Sequence, residues 1–302
     1  MTLTQDELKF NLQKVFGKEI TQLTLKGKGY CNNAYYIETV DGERYIVKEE
    51  LEGKKINEQN SLVVEGRVLQ QLSGLSLSTP LPKVVFVSEE LKMYGYEYIE
   101  GEMMKEVWDS CTEEEKIGIC RKLGSFHAEI GKKFTKEMAE AVGVEINNSV
   151  GLHPEVIKEY DRLSTDPKVP EDFRNLVKEA KVIFDRSLDK AVFQFIHNDS
   201  HHENILVKDK IISGIIDFGD AEYGEVAKEF SRYIRDFPDY FEYIVSSYEE
   251  ESGNKLSRAR LISNALISGF VDIIENYQKG GDDRVQAESA IEKYRFLFAN
   301  IK

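Results

Sequence analysis

One stretch limits what this chain can become. It runs His197-Asn198-Asp199-Ser200-His201-His202-Glu203-Asn204, continues through two short apolar segments, and ends Ile216-Asp217-Phe218-Gly219-Asp220. An aspartate is followed five residues later by an asparagine, and thirteen beyond that by a second aspartate. Between them, residues 205–208, the pair Asp209-Lys210 and residues 211–216 read as strand, two-residue turn and strand. Such a hairpin returns the chain on itself and brings Asn204 and Asp217 to one end of the pair. Oxygen-bearing side chains gathered this way suit phosphoryl transfer. That reaction needs a carboxylate to hold the attacking hydroxyl and oxygen ligands for the magnesium that neutralises a triphosphate. Asp199 is then the candidate base, and Asn204 and Asp217 the candidate metal ligands. Zinc ligation by His197, His201 and His202 is the rival reading, but no cysteine lies near and no HExxH helix is present.

Charge narrows the partners. Forty basic residues against fifty-four acidic ones give a net charge of −14 over 302 residues. Nucleic acid and anionic membranes are disfavoured, and a cationic small-molecule ligand is favoured. Hydrophobic content of 41% and charged content of 31% are those of a soluble globular protein large enough for two lobes. Cys31, Cys111 and Cys120, odd in number and without a CxxC, point to free thiols in a reducing compartment. The N-terminal residues lack a basic segment followed by an apolar run, and no stretch reaches membrane-spanning length. A cytoplasmic protein acting as a monomer is expected.

Upstream, Thr4-Gln5-Asp6-Glu7 is a capping box opening a helix to about Phe16. Residues 20–26 and 34–40 alternate as strands around Gly27-Lys28-Gly29, whose glycines would let backbone amides approach phosphates. An ordinary hairpin turn explains the same pattern. Asp41-Gly42 then turns the chain into a third strand ending at Lys48. A lysine there resembles the phosphate-pairing lysine of kinases and needs a carboxylate to fix it. The helical stretch 57–72 supplies Glu65 on an apolar stripe with Leu62, Leu69 and Leu72. Burial there is costly without a cation, so a Lys48–Glu65 ion pair is expected. Residues 84–87 and 94–99 complete a five-stranded sheet, and the backbone groups from Glu97 through Tyr98 to Ile99 are the candidates to read a purine edge. The lobe boundary is expected near residue 100, giving 1–100 and 101–302. Thr112-Glu113-Glu114-Glu115 caps a helix carrying His127 on its apolar face, where packing is the expected role. Another helix is expected over about 171–188.

Together these residues resemble the aminoglycoside phosphotransferase family, which shares a protein-kinase-like fold with choline kinases and macrolide phosphotransferases. The likeness runs from Gly27 through Lys48 and Glu65 to His197–Asn204 and Gly214–Asp220. Its HND loop and GIIDFGD segment are closest in flavour to the 2″-aminoglycoside enzymes. The resemblance implies an α+β, bilobal fold: a five-stranded antiparallel sheet with a helix, then a larger, mainly helical lobe. It implies transfer of the γ-phosphate of ATP or GTP, with Mg2+, to a hydroxyl of a small molecule. By position, Asp199 matches the catalytic aspartate, Asn204 and Asp217 the metal ligands, and Lys48 and Glu65 the phosphate-binding pair.

Two departures bear on the acceptor. His201 stands where protein kinases carry a lysine, which argues against a protein substrate. Glu225-Val226-Ala227-Lys228-Glu229 replaces the family's DPxxD segment, so acceptor identity is what the change affects. Carboxylates expected to recognise ammonium groups are Asp220, Asp236, Asp239, Glu242, Asp272 and Glu275, with Arg235 an awkward neighbour among them. An aminoglycoside is the first expected acceptor. A macrolide, a choline-like amine or a sugar is the alternative, and a nucleotide-binding pseudokinase acting through a partner is the rival of a different class.

Overall fold

A computed structural model describes residues 4–29, 31–51 and 61–300. The described chain falls into two compact units. The first comprises residues up to Glu115, Glu129–Ile146 and His197–Tyr223; the second comprises Lys116–Ala128, Asn147–Ile196 and the chain from Gly224.

The first unit begins with α1, Gln5–Phe16, held at its start by the expected capping box of Thr4 and Glu7 and stopped by Gly17 at φ 66°. Five antiparallel strands follow: β1 (Ile20–Lys28), β2 (Asn32–Thr39), β3 (Arg44–Glu50), β4 (Val84–Ser88) and β5 (Met93–Glu97), in the order β1-β2-β3-β5-β4. Alternation along these strands turns Ile20, Ile37, Val47 and Met93 onto Leu8 and Leu12 of α1, making the core of this sheet. Helix α2, Leu62–Ser73, starts after an N-cap at Ser61. Residues 57–60, where the helix was expected to begin, lie outside the described residues, as does Tyr30 beside the glycine turn. Gly66 of α2 has no room for a side chain: a β-carbon there would stand 2.9 Å from Tyr94 Cβ. That closeness sets Glu65, one residue earlier, against the sheet.

After β6 (Glu102–Met103) and the single turn α3 (Met104–Val107) comes α4, Glu113–Lys133, again opened by its expected capping box. Helix α5 (Lys136–Val142) and β7 (Glu145–Ile146) follow. In the second unit lie α6 (Pro154–Leu163), α7 (Glu171–Arg186) and β8 (Phe193–Ile196). The chain then returns to the first unit through β9 (Ile205–Lys208) and β10 (Ile211–Ile215), which form a sheet with β6 in the order β10-β9-β6. The turn between β9 and β10 has Asp209 at φ 51° and Lys210 at φ 63°, two left-handed residues, as a two-residue hairpin of matching twist requires. Strand β11 spans Glu222–Glu225, and helices α8 (Val226–Asp236), α9 (Phe241–Ser252), α10 (Arg258–Ser268), α11 (Phe270–Lys279) and α12 (Gly281–Asn300) complete the second unit.

Helix α10 packs against α7 and α8, and α11 against α12. Arg260, 2% exposed, is the largest buried side chain of that unit. It clasps Glu225 and donates to the Val150 carbonyl at 2.7 Å. His127 is fully buried, 2.7 Å from the Tyr233 hydroxyl and against Phe230. Burial holds its imidazole below its ordinary value, against the weaker opposing pull of Glu229. The α+β fold, its five-stranded antiparallel sheet and its helix-rich remainder are those the sequence leads to. Among the described residues no helix is long and apolar enough to cross a membrane.

Candidate active site

Three segments distant in sequence meet in the first unit, on β3, α2 and the turn after β10. The Lys48 ammonium lies 2.9 Å from Glu65 Oε1 and 2.9 Å from Asp217 Oδ1. The expected Lys48–Glu65 pair is therefore formed, with Asp217 as a third member. Tyr94, directly opposite Lys48 in the β3–β5 register, donates its hydroxyl to Glu65 Oε1 at 2.6 Å. The Phe218 N–H donates to the same oxygen at 3.1 Å. The sequence reading did not single out Tyr94. Its signal was present all the same, because directly opposed residues in a sheet share a face.

Electrostatics in this cluster follow burial and charge. Burial opposes the Lys48 ammonium, but Asp217 and Glu65 together outweigh it and hold the lysine above its usual range. Burial also pushes Glu65 above the ordinary carboxylate range despite Lys48. Asp217, its side chain 39% exposed, is held below that range because Lys48 overcomes the effect of burial. Lys48 is thus a fixed positive charge, and Asp217 an ionised carboxylate with an open side.

The loop from His197 to Asn204 is tied to the turn at Asp217 by its own side chains. The Asp199 N–H donates to His197 Nδ1 at 3.2 Å, so the His197 proton sits on Nε2, which donates to the Ile216 carbonyl at 2.9 Å. With both nitrogens engaged and its ring 4.3 Å from that of Phe218, His197 is a structural tie. Among the described residues no group of three or more His, Cys, Asp or Glu is gathered as for a metal ion. Asn198, at φ 61°, donates its amide to the Asp220 carbonyl at 3.2 Å. The Ile216 N–H donates to the Asn204 carbonyl at 2.9 Å, so the hairpin brings Asn204 beside the residue preceding Asp217. The Asn204 amide nitrogen donates to the Asp199 carbonyl at 2.9 Å and to Asp199 Oδ2 at 3.0 Å. His201 Nε2 lies 3.6 Å from the same Oδ2.

The donor set fits a hard divalent cation. Asn204 Oδ1 accepts no hydrogen bond among the described residues, and Asp217 offers a charged carboxylate. The glycine turn is partly described: Gly27 pairs with Ala34, and a β-carbon on Gly27 would meet nothing within 4 Å. Gly29 donates to the Asn32 carbonyl at 2.8 Å. Past β5, the N–H groups of Glu97 and Tyr98 are committed to the Lys83 and Arg44 carbonyls. Ile99 packs over Gly214, where a β-carbon would stand 2.9 Å from Ile99 Cδ1.

The expected acceptor carboxylates fall in both units. Asp220 lies in the first unit, and the other five lie in the second. There Asp236 is paired with Arg235 at 3.0 Å, and Glu242 is gripped by Arg258 at 3.0 Å. Asp239 and Glu242 line one cavity, Asp272 lines another, and Glu275 is exposed outside both.

Family match and fold together define a phosphotransferase of kinase-like fold. Residues 23–260 match the model of the phosphotransferase enzyme family APH, and the chain belongs to that family. It is similar over nearly its full length to several solved structures. The GDP and kanamycin complex of APH(2″)-IIia aligns at TM-score 0.66 and 16% identity, covering 96% of this chain and 97% of that one. The streptomycin-ATP ternary complex of APH(2″)-IIa aligns at 0.61 and 16%, covering 97% of each. Macrolide 2'-phosphotransferase MphH from Brachybacterium faecium aligns at 0.61 and 18%, covering 95% and 98%. No curated protein sequence matches the chain.

Proposed function

We propose that this protein transfers the γ-phosphate of ATP or GTP to a hydroxyl of a small molecule, working as a cytoplasmic monomer. Support comes from the family match and, above all, from Lys48 bridging Glu65 and Asp217 at 2.9 Å each. That contact joins the three segments that kinase-type phosphoryl transfer uses to hold nucleotide phosphates and metal. Two of the similar structures hold GDP or ATP together with an aminoglycoside, which makes aminoglycosides the first acceptors to test. The macrolide enzyme in the same group keeps less cationic acceptors in the panel.

In this reading Lys48, fixed by Glu65 and Tyr94, takes the α- and β-phosphates when nucleotide enters. Gly27 and Gly29 let the backbone of the β1–β2 turn approach the phosphates. Beyond Tyr98, the Ile99 N–H, which no described group accepts, is the donor left for the base edge. Asn204 Oδ1 and Asp217 would hold Mg2+, whose contribution when bound is to neutralise developing phosphate charge. Asp199, steadied by the Asn204 amide, aligns the acceptor hydroxyl and takes its proton late. The functional lobes are then residues 1–100 for nucleotide and 101–302 for catalysis and acceptor. The test is nucleotide consumption across an acceptor panel, with the phosphorylated product identified by mass. No acceptor-dependent consumption with either nucleotide would move the reading to a silent nucleotide-binding protein.

A further inference from the structure

The second unit holds a cavity of about 520 Å3 between α8, α11 and α12, a volume suited to a small-molecule ligand. Ile273, Ala287 and Leu297 form part of its apolar wall. Its charged lining runs against the acidic character of the chain. Arg235 and Lys293 contribute two cations, and Asp272 is its one carboxylate among the described residues.

These groups are short of acceptors. Lys293 has no hydrogen bond or ion pair among the described residues. Arg235 spends its Nε on Asp236 at 3.0 Å, and its two terminal nitrogens donate to nothing described. The Tyr294 side chain is 4% exposed, and its hydroxyl is buried without a hydrogen-bond partner. That hydroxyl lies against Gly269, where a β-carbon would stand 3.8 Å away. Buried polar groups are ordinarily satisfied, so an orphan phenol on a cavity wall marks a place for a ligand atom. Arg235 already has Asp236 as its ion-pair partner, so the donors left over are Lys293, the terminal nitrogens of Arg235 and the Tyr294 hydroxyl.

We propose that this cavity binds a hydroxylated small molecule carrying a carboxylate, which Arg235 and Lys293 receive while a ligand oxygen reaches Tyr294. Charge-assisted bonds to a carboxylate would engage Lys293 and the terminal nitrogens of Arg235, whereas a polyamine would bring its ammonium groups against both cations. The cavity lies wholly within the second unit, and the assignment stands independently of the phosphotransferase reading. Asp272 remains able to accept from the ligand's hydroxyls.

The test is calorimetric titration of the full chain with three probes of similar size. These are lactobionate, its neutral counterpart lactitol, and kanamycin. Lactobionate is expected to bind about tenfold or more tighter than lactitol, as one charge-assisted interaction gives. Lys293→Glu, a change at an exposed and unpaired side chain, should remove that preference and shift the cavity towards kanamycin. Tyr294→Phe should weaken lactobionate several-fold while keeping the shape of the wall. Equal binding of lactobionate and lactitol, displacement of lactobionate from the cavity by kanamycin, or indifference to Lys293→Glu would each overturn the proposal. Binding that persists without phosphate transfer to any acceptor supports the cavity assignment while counting against the phosphotransferase reading.

Discussion

Asn204 donates its side-chain amide to Asp199 twice, at 2.9 Å to the backbone carbonyl and at 3.0 Å to Oδ2. The proposed metal ligand therefore also fixes the proposed base, and the two roles cannot be separated by one substitution. Asn204→Ala is expected to lower kcat by roughly 10²–10³-fold, the usual cost of removing a preorganised donor at a reacting centre. Nucleotide affinity measured without metal should change only a few-fold. Turnover within threefold of wild type would contradict this linkage.

Tyr94 donates to Glu65 inside the buried charge cluster. Tyr94→Phe deletes one hydrogen bond to a charged acceptor, a loss of about 1.5–3 kcal/mol in unfolding free energy. Lys48 keeps both carboxylate partners in that variant, so KM for nucleotide should rise only modestly. Glu65→Gln removes the charge that fixes Lys48 and should raise KM more than Tyr94→Phe does. Chemical denaturation and steady-state kinetics on the two variants check the order.

Arg260 and Glu225 form a buried ion pair, 2% exposed at the arginine, in the second unit. Arg260→Met strands a buried carboxylate and is expected to cost about 3–5 kcal/mol. The double variant with Glu225→Leu should recover much of that loss, since well-packed apolar residues replace such pairs with little penalty. Denaturation of the single and double variants measures the difference, and equal losses would contradict it.

His127 is held neutral by burial, so its folded pKa lies below the ordinary value of 6.5. A depressed folded value means the unfolded chain binds the proton more readily. The stability this contributes is full above pH 6.5 and is lost as pH falls through the folded pKa. Melting temperatures should decline more steeply below pH 6.5 in wild type than in His127→Gln. Parallel curves would show that His127 does not carry this dependence.

Much of this was legible because short-range chemistry agreed with long-range packing. The capping boxes at Thr4 and Thr112 start helices where they should, and the pair Asp209-Lys210 makes the two-residue turn that brings Asn204 beside Ile216. Lys48 and Glu65 were readable as a pair because a lone buried charge is untenable. What stayed hidden depends on partners chosen only in three dimensions. No local pattern reveals that Arg258 neutralises Glu242, that Arg235 takes Asp236, or that Arg260 is a core residue. Of the six expected acceptor carboxylates, Asp236 and Glu242 are therefore held by arginines in the folded chain. Helices α8 to α12 were read only as several helical stretches, because buried charges such as Glu229 and Arg260 blur their apolar faces.

Asp199→Asn, assayed for acceptor-dependent nucleotide consumption beside wild type, tests the central claim most directly. The substitution keeps the size of the side chain and removes the proton-accepting charge. The account predicts a loss of roughly 10²–10⁴-fold in kcat, with nucleotide binding unchanged. Turnover equal to wild type in the Asp199→Asn enzyme would contradict it.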